Sequence, residues 1–114
     1  MSDDEIDLDP NVLDRLRGHI GAENVERLTG LFRENVRERQ AAAAEAYRTG
    51  DQRALVVAFH SIKGSAQLVG ARKLESLVAR FEEQAREGNI ASVDEALEQV
   101  AAALRSVEAA LEGN

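Results

Sequence analysis

From Val25 onward the apolar residues recur three and four positions apart, the spacing that keeps side chains on one face of a helix. Val25, Leu28, Phe32, Val36, Ala43 and Tyr47 form the first long stripe. Gly50 ends it, a position where a left-handed backbone costs a glycine little. Asp51 then reads as the N-cap of a second helix whose stripe is Leu55, Phe59, Ile62, Ala66 and Val69. Gly70 marks a turn, and Leu74, Leu77, Val78, Phe81 and Ala85 repeat the pattern up to Gly88. Ser92-Val93-Asp94-Glu95 has capping-box spacing and opens a last stripe through Val93, Leu97, Val100, Leu104, Val107 and Leu111. No segment alternates with period two over the length of a strand.

Ahead of these segments, residues 1–8 read as a flexible acidic tail, with Ile6 and Leu8 as docking points. Asp9-Pro10 has the form of an N-cap followed by proline at the first helical position, and predicts a short helix to about Arg17 that stops at Gly18. The gaps between predicted helices are short, which favours antiparallel neighbours. The expected fold is all-α: an antiparallel up-down four-helix bundle with a short additional N-terminal helix, in one domain over residues 9–114.

Composition agrees. The 114 residues suffice for a single core, and alanine, leucine, glutamate and arginine, all good helix formers, dominate. The net charge of -7 argues against a nucleic-acid or anionic-membrane partner, since either needs a basic stripe. The absence of cysteine excludes disulfides and thiol chemistry. The acidic start lacks the form of a secretory signal, and no apolar run approaches the roughly 18 residues of a membrane span. The expectation is a cytoplasmic monomer.

The chemistry-bearing stretch is His60-Ser61-Ile62-Lys63-Gly64-Ser65-Ala66-Gln67. An advance of about 100° per residue puts Phe59, Ile62, Ala66 and Val69 on the core side. His60, Gly64 and Gln67 then fall together on the outer side, with Val56 and Lys63 flanking. Lys63, one turn on, supplies a positive charge for phosphoryl oxygens. Gly64 leaves room for a partner's active site to approach the imidazole, a use that offsets the ~1 kcal/mol a mid-helix glycine costs. Gln67 offers a further polar contact. Val56, Val57 and the N-terminal helix are expected to form an apolar rim.

A turn centred on Ala71 sets residues equidistant from it side by side on adjacent helices. His60 lies eleven before Ala71 and Glu82 eleven after, so Glu82 is level with His60. A carboxylate there can hold one ring nitrogen, fix the tautomer and leave the other nitrogen as an outward nucleophile. The same register sets Lys63 opposite Ala79, and Gln67 opposite Glu75.

The stretch Ala58-Phe59-His60-Ser61-Ile62-Lys63-Gly64-Ser65-Ala66, closing with Gly70-Ala71, resembles the signature of the histidine phosphotransfer (HPt) domain family. The likeness extends to the Asp9-Pro10 start, the Gly50-Asp51 break and the Phe81-Glu82 pair. It implies that His60 takes the phosphoryl group on its outer ring nitrogen, that Lys63 and Gly64 lie near that group, and that Glu82 binds the inner nitrogen. It implies a stoichiometric phosphocarrier without kinase activity. Its partners would be response-regulator receiver domains and a sensor or hybrid histidine kinase. The chain has no glycine-rich nucleotide loop and no expected cofactor of its own; Mg²⁺ is expected on the receiver.

Di-iron bundles use Glu-x-x-His pairs, but Val57 and Leu16 stand three before His60 and His19. His19, beside Gly18, is read as a structural histidine near a helix C-terminus. The alternative from another class is a helical adaptor that binds a signalling partner without phosphotransfer.

Overall fold

The computed structural model describes residues 10–112; the acidic tail and the Asp9 cap lie outside the described residues. Five helices and no strand occur among them: α1 (Pro10–Ile20), α2 (Ala22–Thr49), α3 (Gln52–Val69), α4 (Arg72–Glu87) and α5 (Val93–Glu112). The protein is all-helical, as its periodicity predicts. At about 1.5 Å per residue, the 28 residues of α2 span about 42 Å. That matches the longest dimension of the molecule, 43 Å.

α1 begins at Pro10 as expected but continues through Gly18 to Ile20. A glycine inside a helix is a tolerated cost, not a stop. The break falls at Gly21, whose φ of +83° few other residues adopt. The expected caps of the remaining helices are present. At Gly70 (φ +73°) the Ala71 amide donates to the Ala66 carbonyl at 2.9 Å, closing α3 within a single turn. Asp51 accepts from the Ala54 amide at 3.0 Å, and Ser92 from the Glu95 amide at 3.2 Å.

One core assignment is corrected. Tyr47 is 54% exposed, and Ala46 is the buried residue of that turn. The two positions straddle the inward direction of α2. Ala46 lies on the side that packs against α3. The other stripe residues are buried or packed against the core, apart from Leu111, whose side chain is outside the described residues, and Leu28, which is only partly buried.

The helices contact one another as α1·α2, α2·α3, α3·α4, α4·α5 and α2·α5. Between α3 and α4 the contacts run in opposite sequence directions: Gln67 to Glu75, His60 to Glu82, and Gln52 to the Ala85 and Arg86 carbonyls at 2.9 and 3.0 Å. The last of these satisfies the free carbonyls at the end of α4. Ser65 donates to Asn35 across α2 and α3 at 2.8 Å. Glu108 of α5 pairs with Arg33 and Arg37 of α2. Phe59 and Phe81 pack in the core with ring centroids 5.8 Å apart and planes tilted by 44°. Full burial of each such side chain is worth about 1.5–3 kcal/mol.

Candidate functional site

Phe59 and Ile62 are fully buried, which sets the rotation of α3 and turns the residue between core positions outward. The His60 side chain is 66% exposed. Across the α3–α4 seam Phe81 faces inward, and its neighbour Glu82 is 3% exposed, the only buried charged residue among those described. His60 Nδ1 lies 3.0 Å from Glu82 Oε2. The register counted from Ala71 therefore brings these two residues together.

Two cations share the same carboxylate. Lys63 Nζ is 2.9 Å from Oε1, and Arg86 Nη2 donates to Oε2 at 2.9 Å. The convergence follows from helix geometry, because side chains lean toward the N-terminus of their own helix. Lys63 leans back toward the level of His60. Glu82, on a helix running the other way, leans toward the level of Lys63. The Lys63 side chain thus reaches Glu82 and not only the small Ala79 opposite it. Arg86 follows Glu82 by four residues and leans onto it. Sequence reading missed Arg86, although its i+4 spacing from Glu82 was available as a signal.

The electrostatics of Glu82 have one adverse and several favourable causes. Burial raises its pKa. Hydrogen bonds from Lys63, Arg86 and His60, with the charge of Lys63, outweigh burial and hold the carboxyl below its ordinary value. At neutral pH Glu82 is therefore ionised and can only accept hydrogen bonds. The ring nitrogen facing it must carry the proton, so Nδ1–H donates, and in the neutral imidazole the lone pair is then on Nε2.

Gly64 is exposed and has ordinary helical φ. A Cβ built on it meets nothing within 4 Å, so neither internal packing nor backbone strain requires a glycine here. Gln67 donates to Glu75 Oε2 at 2.8 Å, the pairing the register predicts. It belongs to the same outer face but makes no contact with His60 or Glu82. Val57 and Leu68 on α3 are 56% and 53% exposed and lie on the α2 side of His60. His19 lies in the last turn of α1, away from these groups in sequence and on another helix. Among the described residues no three His, Asp or Glu side chains are grouped as a metal site, and no helix is long and apolar enough to cross a membrane.

The Hpt domain family model matches residues 27–110, which takes in most of α2 and all of α3 and α4, and runs close to the end of α5. The chain belongs to the Hpt domain family. The match does not extend to α1 or the Asp9-Pro10 start. No curated protein and no solved structure matches the chain. Membership carries a general function: histidine phosphotransfer within two-component phosphorelays, in exchange with receiver domains and kinases. Hpt domains are phosphocarriers, not enzymes with a catalytic site of their own.

Proposed function

We propose that this protein carries a phosphoryl group on Nε2 of His60, exchanging it with the aspartate of a response-regulator receiver. The observation that carries the reading is the His60–Glu82 contact: a buried, ionised carboxylate holds Nδ1–H and leaves a nucleophilic nitrogen facing solvent. In the accepting direction Nε2 attacks the phosphorus of an aspartyl phosphate. The N–P bond forms, the P–O bond breaks, and the receiver's carboxylate departs with the electron pair. Phosphoryl transfer of this kind depends on positioning and charge neutralisation. Glu82 positions the ring. Lys63 neutralises phosphoryl oxygens, exchanging part of its contact with Glu82 for them, while Arg86 keeps Glu82 in place. Gly64 admits the receiver, and Gln67 adds a polar contact at the edge of the docking face. The Mg²⁺ belongs to the receiver, and this chain needs no ATP site.

The arrangement proposed for the scaffold is an up-down bundle of α2 to α5, with α1 as the additional helix. Its support is the ring of neighbouring helix pairs and the opposed direction of the α3–α4 contacts. A cytoplasmic monomer is the form we assign. The test is incubation with radiolabelled phospho-receivers and autophosphorylated histidine kinases, beside His60→Gln. Acid-labile, alkali-stable label on the parent alone supports the reading. Equal labelling of both proteins rejects His60 as acceptor.

A further inference from the structure

The chain is acidic overall, yet the 18 residues of α3 include Arg53, His60 and Lys63 and no Asp or Glu. The negative charge lies elsewhere, with five acidic residues against one arginine in α5. Starting about one turn before His60, at Val57, the seam between α2 and α3 opens into a surface groove of about 410 Å³. Ala42, Ala54 and Ala58 line it, Val57 edges it, and Arg39 and Arg53 supply its charge.

Neither arginine forms an ion pair with a described residue, and Arg39 Nε is buried with no hydrogen-bond partner. In a chain with 21 acidic residues, a buried guanidinium nitrogen without a partner, on one apolar groove with the exposed Arg53, marks a place where charge is still to be met. Asp51 is the groove's own acid, but it is engaged in capping α3. Arg53 also borders a second groove with Gln52, Val56 and Arg86. Arg53 thus serves both grooves, whereas Arg86 is already paired with Glu82 and Glu83.

We infer that the Arg39–Arg53 groove seats a segment of the phosphorelay partner in which acidic side chains flank an apolar one. The inference rests on the carrier reading above, in that the groove adjoins the face His60 presents. The apolar side chain lies on the alanine floor against Val57, and carboxylates meet the two arginines. Guanidinium groups suit this because they bind carboxylates through paired N–H donors. Such a contact selects among receivers by the charge of one segment and steers encounter. Affinity then falls with salt, since charges at a surface are screened.

The test is an NMR titration of the ¹⁵N-labelled protein with a seven-residue peptide alternating Asp or Glu with Leu. The expected shifts cluster at Arg39, Arg53 and Val57. They weaken several-fold between low and physiological salt, and about tenfold in Arg39→Gln/Arg53→Gln, as expected for two surface ion pairs. Equal binding of a peptide with lysine in place of the acids overturns the inference, as do shifts scattered over the molecule. Shifts of the same residues on concentrating the protein without peptide overturn it too, by assigning the groove to a second copy. The readout needs no phosphoryl transfer, so failure here and an unlabelled His60 are separate results.

Discussion

Phe59 and Phe81 meet inside the protein at 5.8 Å, and their chain neighbours, the exposed His60 and the buried Glu82, meet at the outer edge of the α3–α4 seam at 3.0 Å. The inner pair fixes the rotation of α3 against α4, and the outer pair inherits it. Removing Phe81 should therefore reach the site through the core. Phe81→Ala is expected to cost about 3–5 kcal/mol in urea unfolding. It should also slow phosphoryl acceptance under conditions where the variant is still folded. A folded Phe81→Ala protein with the parent's transfer rate would separate the two pairs.

Gly64 sets folding against function. Its φ is ordinary and space surrounds it, so the isolated protein gains from a better helix former. Gly64→Ala should stabilise the fold by about 0.5–1 kcal/mol, seen as a higher midpoint in thermal unfolding. Gly64→Gln should fold equally well but lose receiver docking. A destabilised Gly64→Ala would reveal an internal need for glycine, and unchanged docking by Gly64→Gln would remove the close-approach role.

Much of this was legible in the sequence, for reasons specific to helices. Spacing gave the stripes, Gly50, Gly70 and Gly88 gave the breaks, and a two-residue turn made the His60–Glu82 register countable. Three details were not legible. Gly18 looked like a stop because glycine is a poor helix former, but Gly21 alone takes a positive φ at that junction. Tyr47 and Ala46 are both compatible with the stripe, and only the packing partners choose between them. Arg86 escapes a reading that gives Glu82 a single partner, the imidazole. A carboxylate this buried collects every cation within reach.

The cations around Glu82 are themselves part exposed, Lys63 by 27% and Arg86 by 55%. When the carboxylate is removed they can turn to water. Glu82→Ala should then cost about 1–2 kcal/mol, less than the usual result of stranding a fully buried charge. Phosphoryl acceptance should slow by about tenfold, the scale seen when a group orienting a histidine is lost. It should persist, because His60 Nε2 is still present. An unchanged single-turnover rate would reject the orienting role.

Glu82 also links stability to pH with a definite sign. Its folded pKa is below the ordinary value of 4.5, so as pH falls the unfolded chain takes up the proton first. The stabilisation is fully present above about 4.5 and is lost as pH falls through the lowered folded value. Glu82→Gln cannot titrate. In a His60→Gln background, where the imidazole contacting Glu82 does not titrate, the stability difference between Glu82 and Glu82→Gln should accordingly be constant from neutral pH down to that point and shrink below it. Chemical denaturation of both proteins from pH 7 to pH 3 measures this, other carboxylates cancelling in the comparison. A difference that grows on acidification would mean that burial, and not its hydrogen bonds, governs this carboxyl.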